Sequence, residues 1–154
     1  MEFGDFGHIY LGGQEVSPGD RGYNVAVIDP ASGQLEAQAS FDTFAFDVQS
    51  SRMAEFISLV EPGKIVAVAV RDEASRELTL DAVEALRSIG AKEDLRGHFR
   101  SSHAIVGVKG ARPGEAMEVA DLTGVASVGV GAWISEPALA AAFSQIRVEA
   151  PPVD

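Results

Sequence analysis

The chain has 154 residues, 46% hydrophobic and 23% charged, the balance of a globular protein rather than a disordered one. Its formal net charge of −11, with no basic run, opposes binding to DNA, RNA or anionic membranes, which depends on clustered Lys and Arg. The lack of cysteine excludes disulfides, thiolate zinc sites and a Cys nucleophile.

The opening residues, MEFGDFGHIYLGG, have neither a basic n-region nor a long apolar h-region, so no signal peptide is expected. No membrane span is expected either, because no run of about 18 apolar residues occurs. His8 to Leu11 reads as a short strand ended by Gly12-Gly13, and Gln14 to Arg21 as a loop broken by Pro18-Gly19. Tyr23 to Asp29 (YNVAVID) is β-branched and apolar, and Pro30-Ala31-Ser32-Gly33 is a turn. Gln34 to Phe41 alternates Leu35, Ala37, Ala39 and Phe41 against polar residues, which completes a β-hairpin. In Val48 to Val60, Met53, Phe56, Ile57 and Val60 form one apolar helical stripe, with Asp47 or Ser50 as N-cap and Pro62-Gly63 as terminator.

Lys64 to Val70 (KIVAVAV) has the near-continuous apolar character of a strand covered on both faces. Thr79 offers a cap for a second helix lined by Ala82, Val83, Leu86 and Ile89, with Gly90 just past its end. Ala104 to Val108 is another buried strand, followed by weaker strands at Met117 to Ala120 and Ala126 to Val130. Ser135-Glu136-Pro137 marks a further helix start. Hairpin, helix, strand, helix and strands in that order predict helices packed on a sheet, an α/β or α+β sandwich.

Motifs for covalent chemistry are missing from the sequence. It contains no GxxxxGK[ST], no HExxH and no complete GxGxxG. Ser127, in VASVG, lacks the first glycine of a nucleophile elbow and is read as structural. His98 and His103 stand five residues apart with no acid beside them, a poor metal spacing, so no metal is expected. Glu93-Asp94 reads as a solvated turn. Asp72-Glu73 directly follows a buried strand, where ligand sites of open sheets gather. Asp72 is either a ligand contact or a structural residue, an N-terminal helix cap or an ion-pair partner of Arg71 or Arg76. If the strands that carry them are neighbours, Asp72 and Arg100 converge at one sheet rim, a pairing suited to a neutral, hydroxyl-rich ligand.

Four stretches, RGYNVAVIDPASGQLEAQASFDTF, GKIVAVAVRDEASREL, EALRSIG and FRSSHAIVGVKG, resemble the interleukin-like EMT inducer family, also called the PANDER-like or GG domain. The resemblance covers Ile9 to Gly110 and continues more weakly to Trp133. It implies an α+β fold, a two-sheet β-sandwich with two or three flanking helices, and no catalytic machinery. Residues 1–154 are then one such domain, with a core over 8–133 and a C-terminal extension over 134–154.

In the stem domain of protein O-mannose N-acetylglucosaminyltransferase, a member of this family, the fold binds a β-linked N-acetylglucosamine. The contacts come from the aspartate of a DE(A/G)S turn and the arginine of a G-aromatic-R turn, which match Asp72 and Arg100 here. Arg21 matches a family arginine expected to support the fold. The family's second turn continues R-D-x-W, whereas this chain has Arg100-Ser101-Ser102-His103, so the stacking indole and one acceptor are replaced.

The resemblance implies a non-enzymatic carbohydrate-binding module without cofactor. Asp72 would accept from sugar hydroxyls and Arg100 donate, with Phe99 or His103 as an apolar face and Ser101 and Glu73 completing the cluster. Single-sugar affinity is expected in about the millimolar range, so useful binding requires many copies. With no export signal in the sequence, the expectation is cytoplasmic synthesis and display on a phage-like particle, where a spike or fibre meets capsular polysaccharide. The expected partners are a glycan and other structural proteins of the particle, with no nucleic acid and no membrane. The alternative is a structural or protein-interaction module on the same fold with its sugar site lost.

Overall fold

The computed structural model describes residues 6–131 and 145–148. In chain order its elements are β1 (His8–Leu11), β2 (Gln14–Glu15), β3 (Gly22–Ile28), β4 (Leu35–Phe41), α1 (Asp47–Ser58), β5 (Ile65–Arg71), α2 (Leu80–Arg87), β6 (Ser102–Val108), β7 (Met117–Asp121), β8 (Val128–Val130) and β9 (Gln145–Val148). They form an antiparallel five-stranded sheet of order β4-β3-β5-β6-β7 and a smaller sheet of order β2-β1-β9-β8. This is the expected α+β class. The helix predicted from Ser135-Glu136-Pro137 lies outside the described residues.

The sequence of β5 explains the layering. Successive side chains of a strand point to opposite faces, so IVAVAVR sends Val66, Val68 and Val70 one way and Ala67 and Ala69 the other. The valines join Tyr23, Val25 and Ile105 beneath Met53 and Ile57 of α1 and Ala82, Val83 and Leu86 of α2. The alanines join Ala26, Ile28, Ala104 and Val106 against Ile9, Ala126 and Val128 of the smaller-sheet side. Large residues fill the helix-facing layer, while small ones let the second sheet approach closely.

Gly107 serves the same close packing: a Cβ there would lie 2.0 Å from the Ile89 carbonyl oxygen, which accepts the Val108 N–H at 3.1 Å. The end of α2 can therefore dock on the sheet only over a glycine.

The caps differ from the expectation. The N-cap of α1 is Phe46, with extended backbone and no side-chain hydrogen bond, while Asp47 falls in the first turn. Ser50 is buried and donates to the Glu77 carbonyl at 2.7 Å, tying α1 to the segment before α2 rather than capping its own helix. Thr79 does occupy the N-cap of α2, but its hydroxyl caps nothing. Both helices are held by their packed stripes more than by caps.

Candidate functional site

The antiparallel pairing of β5 with β6, for example Ala69 opposite Ala104, brings the end of one strand beside the start of the next. Asp72 follows β5 directly, and Arg100 stands two residues before β6. Arg100 Nη2 lies 3.2 Å from Asp72 Oδ1, with the side chains 48% and 32% exposed. Both residues adopt left-handed backbones, φ 59° at Asp72 and φ 56° at Arg100, and among the described residues no other non-glycine does. That conformation is uncommon outside glycine and costs about 1 kcal/mol or more per residue. Strained backbone of this kind clusters where side chains must be aimed.

Glu73 holds the two turns together. It is 2% exposed; its Oε1 accepts the Ser75 N–H at 2.5 Å, and its Oε2 accepts the backbone N–H of Arg100. The Gly97 N–H adds a 3.4 Å bond to the Ser75 carbonyl. The result presents Phe99 to solvent, 68% exposed, with the Arg100 guanidinium carbon 5.8 Å from the centre of its ring.

Asp72 also borders an open cleft of about 610 Å³ that runs from Arg71 to the open end of the β3–β4 hairpin and to Gln49 of α1. Register explains this arrangement, because Gly22 pairs with Arg71 and Tyr23 with Phe41, which places Arg21 and Asp42 on the cleft wall. Arg21 and Asp42 form a bidentate pair at 3.1 and 2.7 Å, and the Arg21 guanidinium sits 4.7 Å over the Phe44 ring. Burial disfavours the Asp42 carboxylate, but bonds from Arg21 and the Ala45 N–H hold its pKa below the ordinary range. Asp20 receives the Ser40 hydroxyl at 2.7 Å, and Arg71 donates to the Gly19 carbonyl. Sequence inspection missed Asp20, Ser40, Asp42 and Gln49, since no local motif marks them.

Three expected contacts face the wrong way. Glu73 is the buried staple just described, and Ser101 is 4% exposed, its hydroxyl enclosed without a hydrogen-bond partner. His103 is wholly buried, so its ring offers no face to a ligand at the rim. It instead bridges Tyr23 and Glu118: the Tyr23 hydroxyl lies 3.1 Å from Nδ1, and Glu118 Oε1 lies 2.8 Å from Nε2.

Glu118 also accepts the Lys92 N–H at 2.8 Å and, more weakly, the Glu93 N–H. Burial opposes its charge, yet the bond to His103 and these N–H donors keep its pKa below the ordinary value. The ionised Glu118 thus takes a proton donor at His103 Nε2, leaving Nδ1 to accept from Tyr23, whose own pKa burial raises strongly. This trio pins the beginning of the loop that ends at Arg100. Asp72 pairs with Arg100 and not with Arg71 or Arg76, which reach the Gly19 carbonyl and Glu77 respectively.

Comparison with known proteins places these turns inside a recognised unit. The family model described as interleukin-like EMT inducer matches residues 21–111, from the cleft arginine to just past β6. The human cell migration-inducing and hyaluronan-binding protein is 40% identical over 96 residues, 62% of this chain but 7% of that protein. Human cell surface hyaluronidase CEMIP2 is 35% identical over 89 residues, 57% of this chain and 6% of that protein. Human protein FAM3B is 31% identical over 100 residues, 65% of this chain and 42% of that protein. The chain therefore spans less than half the length of each of these relatives.

Proposed function

The chain belongs to the interleukin-like EMT inducer family, and from that premise we propose that it is a non-enzymatic carbohydrate-binding module. What supports this above all is the Asp72–Arg100 pair, two strained residues aimed at one point of the rim. Such a pair offers both an acceptor and donors to vicinal hydroxyls, and charged partners make stronger hydrogen bonds than neutral ones. Phe99, rather than His103, supplies the apolar ring beside it. A glycan array probed with a multimerised form tests the proposal. Binding that disappears in Asp72→Ala and Arg100→Ala supports it, and no binding to any glycan sinks it.

Few ligand atoms would be buried at such an open rim, so display in many copies, as on a phage-like particle, is the setting we propose for it. Electron microscopy of particles from the source organism that lack the protein would remove that setting without touching the lectin proposal. The second reading is a protein-interaction module. An apolar groove of about 290 Å³ at the far end of the sheet, lined by Phe56, Leu59 and Val60, favours it, with Leu59 77% exposed.

A further inference from the structure

We infer that the cleft beside Asp72 is built for uncharged glycans and discriminates against uronate- or sulfate-bearing chains, with Asp42 and Asp20 as the residues that enforce this. The inference rests on the carbohydrate-binding proposal and narrows its ligand class. An anionic sugar is captured by a cation that has no carboxylate of its own, usually an arginine fork. Around this rim each arginine is already engaged. Arg21 is forked onto Asp42 at 3.1 and 2.7 Å, Arg96 onto Asp94 at 3.0 and 2.7 Å, and Arg100 onto Asp72 at 3.2 Å. Arg76 reaches Glu77 at 3.4 Å, and Arg71 donates to the Gly19 carbonyl within Coulombic reach of the Glu15 carboxylate.

With Arg100 counted against Asp72, the cleft carries no net positive charge to draw in an anion. Three carboxylates, Asp20, Asp42 and Asp72, line the cleft against two guanidiniums, Arg21 and Arg71. Asp20 is exposed, and among the described residues its carboxylate takes one side-chain hydrogen bond, from the Ser40 hydroxyl. A uronate seeking Arg21 or Arg100 must displace a carboxylate from its arginine and approach another, inside the field of a chain carrying −11. A neutral ring meets none of that opposition. It can accept from arginine N–H groups that keep their carboxylates, and donate to carboxylates that keep their arginines. The contrast with a relative whose name includes hyaluronan binding makes the point testable on one sugar.

Chitin oligosaccharides and hyaluronan oligosaccharides of equal length both carry N-acetylglucosamine, but only the second alternates it with glucuronate. Titration of the full chain with each, followed by NMR at low and at physiological salt, separates the cases. The expected result is a salt-insensitive Kd for the neutral chain and at least about tenfold weaker binding of hyaluronan. Asp42→Asn, which frees Arg21, should tighten hyaluronan by about fivefold, and Asp20→Asn, an exposed change with little effect on folding, should shift it in the same direction. Hyaluronan binding equal to or tighter than the neutral chain overturns the inference while leaving the lectin proposal standing. Failure of both oligosaccharides, and of every glycan on the array, overturns the two together.

Discussion

Asp72 and Arg100 face each other across 3.2 Å at the mouths of adjacent strands, and each holds a left-handed backbone to do so. An L-residue in that conformation is strained by its Cβ, and a glycine is not. The strain separates the role of the backbone from that of the side chain. Arg100→Gly and Arg100→Ala remove the same guanidinium, but only the glycine relieves the φ of 56°. The usual order of the two residues should therefore invert. Urea unfolding is expected to find the glycine variant about 1 kcal/mol more stable than the alanine variant, with sugar binding lost in both. Equal stabilities would mean that the turn relaxes freely and stores nothing.

Glu73 contacts no proposed ligand, yet its removal should cost binding. Its buried carboxylate accepts N–H groups from both turns, so Glu73→Ala leaves the Ser75 and Arg100 donors without their acceptor. Two orphaned donors cost roughly 2–3 kcal/mol. Glu73→Gln keeps one acceptor oxygen and is expected to lose about half of that. Hydrogen exchange gives the readout a global loss of stability does not: the Arg100 amide should lose protection selectively in Glu73→Ala, ahead of the β5 and β6 amides. Uniform loss across the sheet would assign Glu73 to general stability alone.

Glu118 predicts the acid limb of stability. Its folded pKa lies below the ordinary glutamate value of 4.5, because hydrogen bonds from His103 and from the Lys92 and Glu93 N–H groups outweigh burial. A depressed folded pKa means stability fully present above about pH 4.5 and lost as the pH falls through the folded value. Asp42 and Asp94 are depressed as well, but they are partly exposed, and solvent screens them. Glu118→Gln should therefore be less stable than the parent at pH 7, and the difference should shrink by about pH 3. Urea midpoints at the two pH values measure this. A difference that does not change with pH would show that the carboxylate is not charged in the core.

The sequence made the convergence of Asp72 and Arg100 readable for a simple reason. KIVAVAV and HAIVGV are too apolar to lie anywhere but in the sheet interior, and interior strands joined by a helix end side by side. The direction of the flanking residues was less readable. In β6 both faces are buried, so alternation could not say whether His103 meets solvent or core. The residues that keep it inside, Tyr23 and Glu118, stand 80 and 15 positions away. The cleft was hidden for the same reason: Asp20 meets Ser40 and Arg21 meets Asp42 only through the β3–β4 register. Local pattern finds strand ends, and register decides what gathers there.

The inward turn of His103 relocates the aromatic surface and separates two substitutions that look alike in sequence. The family's R-D-x-W pattern makes His103→Trp the obvious repair of a lost sugar platform. Position 103 is fully buried here, between Tyr23 and Glu118, with ring centroids of Tyr23 and His103 6.0 Å apart in an edge-on arrangement. An indole at that place must displace its neighbours, and it offers one N–H where the imidazole served two partners. Overpacking of this kind costs about 1–3 kcal/mol, and the stranded Glu118 carboxylate adds to it. His103→Trp should therefore lower the melting temperature and give no gain in sugar affinity. Phe99 is the opposite case. Its ring is 68% exposed and sits beside Arg100, so Phe99→Ala should leave stability within about 0.5 kcal/mol of the parent. It should weaken sugar binding by roughly fivefold or more, since one aromatic face in contact with a ligand is worth about 1 kcal/mol. Thermal melts and glycan titrations of the two variants side by side test the assignment. A gain of affinity in His103→Trp, or none lost in Phe99→Ala, would return the platform to position 103.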